Sequence, residues 1–362
     1  MFSGLYRGKR VFVTGHTGFK GSWLTAWLLN LGADVGGFSI GVPTEPSNFK
    51  VLDLEKRITH FAGDIRDRKL LGDAIDSFKP EAIFHLAAQP IVRESFADPV
   101  TTFETNVMGT MNVLELLRTR PSIKAGIIIT SDKCYKNLGW TWGYRENDTL
   151  GGGDPYSASK ACAELIFHSY CESFLKMGST RVATTRAGNV IGGGDWAADR
   201  IVPDTVRAWS KKKSVTVRYP KATRPWQHVL EPLGGYLWLG VKLLEGQENV
   251  NCESFNFGPM ASVNQPVAAL LEEMKKYWSV AEWEIEKVDE YQEASLLKLS
   301  CDKALNALGW EASLSFAETV RMTCEWYQAY YEKGGKGIYD LTMEQINNYV
   351  SIASDKGLEW TK

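Results

Sequence analysis

Arg10-Val11-Phe12-Val13-Thr14 runs without a break into Gly15-His16-Thr17-Gly18-Phe19-Lys20-Gly21, and no other stretch narrows the choice of fold as much. An apolar strand, a glycine-rich turn and a helix predicted over Ser22 to Leu31 make the opening of a βαβ unit. The glycines permit a tight turn and close backbone approach, and the first N–H groups of the helix face outward toward a pyrophosphate. The spacing is G-x-x-G-x-x-G rather than G-x-G-x-x-G. In isolation it fits any tight strand–helix turn; behind the first strand of an α/β chain it points to a bound dinucleotide.

The rest of the first half continues the alternation. Strands are predicted at Ala33 to Ile40, before Gly63, at Ala82 to Leu86, at Gly126 to Ile129 and at Thr180 to Arg186, with long helices over Val100 to Arg118 and Pro155 to Lys176. Strand two ends at Ser39-Ile40-Gly41, with no acid to hold an adenosine ribose and no Arg or Lys for a 2′-phosphate. NAD is therefore expected over NADP, with weaker ribose recognition than usual. Asp64 and Ile65 follow the third strand, where a carboxylate can accept from an adenine amino group; Asp67 reads as a helix N-cap. Leu86, Ala87 and Ala88 are small or apolar residues that leave room at a strand's carboxyl end. His85 reads as a packed histidine, and Asn106 as a structural bridge to the strand carrying Ser131.

Two runs carry the chemistry. Thr130-Ser131-Asp132-Lys133-Cys134-Tyr135 leaves a buried strand, and Asp154-Pro155-Tyr156-Ser157-Ala158-Ser159-Lys160 begins a helix with an Asp cap and Pro in the first turn. Tyr156 and Lys160 are i,i+4 and share a helix face. A free phenol titrates near 10, and a cation one turn away is expected to lower that value. Read alone, the pair is equally an exposed pair on an amphipathic helix; the glycine turn decides for chemistry.

Beyond Arg186 the composition changes at Gly188-Asn189-Val190-Ile191-Gly192-Gly193-Gly194-Asp195-Trp196. Lys211 to Lys213 read as a solvated turn and Ser214 to Tyr219 as a strand. Arg224 beside aromatics suits a diphosphate and a stacked base, or is a surface arginine. Helices over Gly234 to Leu244 and Gln265 to Tyr277 flank a strand at Ser254 to Phe257, and the remainder reads as a helical cap. The loop 136–154, rich in Gly and Trp, covers the site or is a surface excursion. The domains expected are residues 1–186 with returning segments about 224–260, and a second lobe of 187–223 and 261–362.

Composition sets the outer limits. A net charge of −2 leaves no footprint for nucleic acid, and 44% hydrophobic with 23% charged residues is ordinary for a globular chain. Six scattered cysteines follow neither zinc nor disulfide spacing, no metal site is expected, and the start lacks the apolar core of a signal peptide, so a cytoplasmic protein with reduced thiols and no membrane partner is expected.

Taken together, Thr14-Gly15-x-x-Gly18-x-x-Gly21, Asp64-Ile65, His85-Leu86-Ala87-Ala88, Tyr156-x-x-x-Lys160, Arg186-x-x-Asn189 and Arg224 with His228 resemble the extended short-chain dehydrogenase/reductase family over nearly the whole chain. The resemblance implies an α/β Rossmann-type, doubly wound, seven-stranded and mostly parallel sheet, NAD held by residues 15–21, 64–65, 86–88, Tyr156 and Lys160, and a smaller mixed α/β C-terminal lobe for a nucleotide-sugar. It also implies a homodimer or homotetramer built on the two long helices. Ser131 and Asp132 resemble the run of the 4,6-dehydratases within the family, although Lys133 stands where those usually carry Glu. With Trp226-Gln227-His228, the likeness implies CDP-glucose as substrate, at the entry to CDP-linked 3,6-dideoxy sugars. TDP-, GDP- or UDP-linked sugars, a 4-epimerase, and a non-catalytic nucleotide-binding module remain the alternatives.

The implied chemistry gives each residue a task. Tyr156 takes the proton of the hexose 4-hydroxyl while Ser131 hydrogen-bonds its oxygen and Lys160 also binds the nicotinamide ribose. Asp132 protonates the departing 6-hydroxyl, which requires it to carry a proton, as burial favours. Lys133 either removes the C5 proton in its neutral form or remains charged and stabilises the enolate. Asn189 and Arg224 are carried over as diphosphate contacts, Arg200, His228 and Asn256 as further contacts to the nucleotide-sugar, and Gln89 and Arg93 as the lining of the hexose pocket.

Overall fold

The structure, a computed structural model, describes residues 1–260, 263–278, 281–285 and 296–362; the rest of the expected 261–362 segment lies outside the described residues. Seven strands form one sheet: β1 (Arg10–Thr14), β2 (Asp34–Ser39), β3 (Thr59–Ala62), β4 (Ala82–His85), β5 (Ala125–Ile129), β6 (Arg181–Arg186) and β7 (Glu253–Asn256). Their order is β7-β6-β5-β4-β1-β2-β3, and every neighbouring pair is parallel.

Alternation along the strands explains the layering. Val11 and Val13 of β1, Phe84 of β4 and Ile127 of β5 belong to one apolar cluster; Phe12, Ile83 and Ile128 belong to another on the opposite face. Helices cover both faces, so the central strands β1, β4 and β5 are buried twice and read as apolar runs. The first cluster continues through α1 (Phe19–Asn30) and the 230–244 helix into the C-terminal helices Phe316–Lys333 and Ile338–Asp355. The second lies under the 68–78, 109–119 and 155–170 helices.

Strand order reverses between β1 and β4, which opens a crevice at their carboxyl ends. Thr14 pairs with His85 in register, and the Thr14 hydroxyl lies 2.8 Å from His85 Nδ1. His85 is a packed histidine as expected; burial holds it near pKa 3.

Three local expectations need correction. Helix α1 starts at Phe19, three residues before Ser22, because Gly18 is already its N-cap. The long helices are interrupted by π-turns at Glu104–Met108 and Cys171–Leu175. Asn106 is structural, but it bridges to other partners: Oδ1 accepts from Gln89 N (2.8 Å), while Nδ2 donates to Gln89 O (3.0 Å) and Ser159 Oγ (2.9 Å), so it ties the β4 exit to the 155–170 helix rather than to β5.

Candidate active site

The glycine turn is shaped for something that fits between β1 and β4. Gly15 has φ +73°, and a Cβ there would lie 2.6 Å from Ala87 N. A Cβ on Gly21 would lie 2.1 Å from Gly15 O, so only glycine lets the helix start this close to the strand end. Leu86, Ala87 and Ala88 are half-buried along the opposite wall. Tight glycines, a helix N-terminus and a wall of small residues fit a dinucleotide.

The side chains of His16 and Thr17 are engaged within the protein, against β2 and its exit. His16 is fully buried against β2, with Nε2 2.8 Å from His60 Nδ1, and burial pulls its pKa down to about 3. Thr17 Oγ1 donates to Gly41 O (2.6 Å) and lies 2.7 Å from Ser39 Oγ. The acid-free end of β2 is thus filled by two paired hydroxyls. Asp64 holds Arg66 through both oxygens (2.7 to 2.9 Å), and that guanidinium lowers its carboxyl. Ile65 packs under Gly109.

At the end of β5 the chain tightens into a short 3-10 turn, Asp132–Cys134, capped by Ser131. Ser131 Oγ accepts from Lys133 N (3.2 Å) and donates to Asp132 Oδ1 (3.0 Å). Asp132 is buried, and room for its carboxylate exists only because residue 188 is glycine: a Cβ there would lie 1.9 Å from Asp132 Oδ2. Asp132 and Gly188 line an opening with Pro225, Gln227, Leu297 and Leu299. The 136–154 loop is tied to its rim, since Tyr144 N donates to Lys298 O (2.7 Å) and Ser300 N to Tyr144 O (2.9 Å). Lys133 is half-buried beside it.

The 155–170 helix brings Tyr156 and Lys160, both buried, to face this turn. Burial pushes the Tyr156 phenol up to about 12, Asp132 adds to the rise, and Ser131 and Arg200 oppose it. Lys160 was expected to be the cation that lowers Tyr156. Burial pulls Lys160 itself down to about 8, against the support of Glu164 and Cys134. Lys20 reaches the same cluster from α1; burial lowers it to about 8, with Asp132 opposing and Arg200 and Lys160 assisting. Arg200 pairs with Asp195 (2.8 Å) and its charge is felt at Tyr156, so it belongs with the catalytic cluster.

The other expected substrate contacts separate. Asn189, half-buried at φ +51°, and half-buried Arg224 each adjoin in sequence a residue that lines the opening, Gly188 and Pro225, and Arg224 Nη1 donates to Thr223 O (2.9 Å). His228 is fully buried, edge-on to Trp23 at 5.9 Å, and its Nδ1 accepts from Leu230 N (3.4 Å). Asn256 is also buried; its Oδ1 accepts from Tyr135 OH (2.8 Å) and its Nδ2 donates to Tyr144 O (2.9 Å) and Ser300 O (3.1 Å). Gln89 is bound to Thr102 Oγ1 (2.9 Å) and Ile91 N (2.5 Å), and Arg93, with 79% of its side chain exposed, pairs with Asp199 at 3.3 Å.

Sequence reasoning missed Gly188 and a buried pair, Glu164 with Arg186. The available signal was Glu164 itself, a carboxylate one turn beyond Lys160 on an otherwise inward-facing stripe. Among the described residues no cluster of His, Cys, Asp and Glu suits a metal ion.

A family model described as GDP-mannose 4,6 dehydratase matches residues 12–323. A CDP-glucose 4,6-dehydratase of Salmonella typhimurium is 44% identical over 355 residues, 96% of this chain and 98% of that protein. Among solved structures, the dTDP-glucose 4,6-dehydratase of Bacillus anthracis in complex with NAD superposes with TM-score 0.74 at 23% identity, covering 91% of this chain and all of that one. The UDP-glucose 4-epimerase of Thermus thermophilus, also with NAD, does so with TM-score 0.75 at 24% identity, covering 88% of this chain and 99% of the other. The two structures share the fold.

Proposed function

The chain belongs to the GDP-mannose 4,6 dehydratase family of extended short-chain dehydrogenase/reductases, and within it we propose an NAD-dependent 4,6-dehydratase that converts CDP-D-glucose to CDP-4-keto-6-deoxy-D-glucose. One observation carries the choice of dehydration over epimerisation. Asp132 sits buried at the opening, in one turn with Ser131 and opposite Tyr156, in space kept free by Gly188. A 4-epimerase needs no acid there; loss of the 6-hydroxyl does. The Salmonella relative supports the cytidine nucleotide.

Residues 15–21, 64–65 and 86–88, with Tyr156 and Lys160, would hold NAD, which when bound would supply the hydride acceptor and donor chemistry. The chain's own residues do the rest. Tyr156 receives the 4-hydroxyl proton while Ser131 donates to the same oxygen. The resulting 4-ketone acidifies the C5 proton, which Lys133 removes and later restores. Asp132 delivers a proton to the departing 6-hydroxyl as water leaves. Asn189 and Arg224 meet the diphosphate, with residues 187–223 and 261–362 forming the sugar-nucleotide lobe. Exposed Val100, Met108, Leu165 and Phe174 on the two long helices support a homodimer. Six free cysteines support a reducing cytoplasm, and no described helix is long and apolar enough to cross a membrane. The product is the entry to 3,6-dideoxy sugars of lipopolysaccharide O-antigen.

Incubation with CDP-, TDP-, GDP- and UDP-glucose, each scored by product mass, tests the assignment. Loss of water from CDP-glucose at the highest kcat/KM is expected. Inversion at C4 with unchanged mass, or a preference for another base, overturns it.

A further inference from the structure

Tyr156, Lys160 and Glu164 are spaced i, i+4, i+8, and so form one stripe on the 155–170 helix. The first two serve the reaction just described. Glu164 is fully buried one turn deeper and touches no part of the opening. Its carboxylate collects hydrogen bonds from three strands or their exits. Oε1 accepts from Thr130 Oγ1 (2.5 Å), the residue before Ser131. Oε2 accepts from Arg186 Nη2 (2.7 Å) and Thr184 Oγ1 (3.0 Å) of β6, and from Ser254 Oγ (3.2 Å) of β7. Arg186, fully buried as well, donates through Nη1 to Tyr135 OH (2.7 Å) and Glu146 O (2.9 Å). The far end of the catalytic turn is thereby held by the same pair.

A buried ion pair is a poor source of stability, because desolvation of both charges offsets their attraction and an apolar pair of equal volume does as well or better. What Glu164 does supply is a negative charge one turn from Lys160 and, together with Arg186, a link between two catalytic elements. We propose that Glu164 is a positioning residue, which fixes Lys160 as a cation and sets the register between the Ser131 turn and the Tyr156 helix.

The electrostatics around Lys160 agree. Its surroundings are Tyr156 and Glu164 on its own helix, Cys134 in the β5 turn, His85 on β4 and Lys20 on α1. Burial lowers Lys160 to about 8, Lys20 carries like charge, and Glu164 is the foremost group holding it up. Arg186 compensates Glu164 from the strand side.

The test rests on the dehydratase reading and uses the NAD-loaded enzyme with CDP-glucose. Wild-type turnover is the control; its absence sinks the reading of function, not this inference. In Glu164→Gln the alkaline limb of the kcat–pH profile is expected to move down by about one unit, a tenfold change in the fraction of charged Lys160. Glu164→Asp, which keeps the charge, leaves the limb in place with reduced kcat. Should Glu164→Gln fail to fold around an unpaired Arg186, Glu164→Leu with Arg186→Met removes both charges and is expected to move the limb the same way. Thr130→Val keeps the charge, removes the link to the turn, and is expected to lower kcat with the limb unmoved. A limb at its wild-type position in the charge-free variants overturns the charge role; full kcat in Thr130→Val overturns the register role.

Discussion

Gly188→Ala tests the placement of the acid. The added Cβ would lie 1.9 Å from Asp132 Oδ2 and 2.1 Å from its Cγ, whereas ordinary contact begins at 3.4 Å. The backbone at residue 188 is pinned, since Gln227 Nε2 donates to Gly188 O at 2.8 Å. The carboxylate must therefore retreat by about 1.5 Å (3.4 − 1.9). A catalytic group misplaced by ~1 Å loses on the order of 10²-fold in rate, or about 2.7 kcal/mol of barrier. Dehydration should fall by that factor. Tyr156, Lys160 and the glycine turn are not displaced, so oxidation at C4 should survive. Rapid-quench product analysis measures the first, and near-ultraviolet absorbance of reduced nicotinamide measures the second. Accumulated reduced nicotinamide with little dehydrated product is expected. Wild-type turnover in this variant, or equal loss of both steps with NAD still bound, refutes the reasoning.

Lys133→Met should stop exchange of the C5 proton with solvent, and Lys133→Glu should restore part of it; full exchange in Lys133→Met removes Lys133 as the base. Gly15→Ala should lose most of its NAD affinity by equilibrium titration, because φ +73° and the 2.6 Å approach to Ala87 both exclude a side chain; unchanged affinity contradicts the crevice geometry. Burial raises the Glu231 carboxyl from the usual 4.5 to about 7, although Ser313 N, Leu314 N and Tyr349 OH all donate to it. A raised carboxyl binds its proton more tightly in the folded state. Its contribution is complete below 4.5 and is lost as pH rises through 7, by up to about 3 kcal/mol. Denaturant midpoints across that window should therefore decline more steeply for wild type than for Glu231→Gln, and equal slopes contradict the assignment.

The central strands β1, β4 and β5 were legible because they are buried on both faces and read as nearly unbroken apolar runs, whereas edge strand β3, with no buried residue, could only be placed before Gly63. Tyr156 with Lys160 was legible because helix geometry alone puts i and i+4 together. The start of α1 was misplaced because Gly18 and Gly21 read as turn residues, while in the structure one caps the helix and the other gives it clearance over Gly15 O. His228 and Asn256 were carried over from the family likeness, and nothing local reveals that Trp23 packs on the one and Tyr135 hydrogen-bonds the other. Glu164 and Arg186 meet only when a helix is laid across β6, and Lys20 meets Asp132 only when the β1 and β5 exits converge. Such contacts are properties of the sheet order, which no short window of sequence contains.

The central claim is an internal hydride transfer with loss of water. CDP-glucose carrying deuterium at C4, incubated with the protein and catalytic NAD, measures it most directly by mass spectrometry and NMR. A product lighter by one water with deuterium at C6 is the predicted result. Deuterium retained at an inverted C4 without loss of water, or a dehydrated product with solvent hydrogen alone at C6, contradicts it.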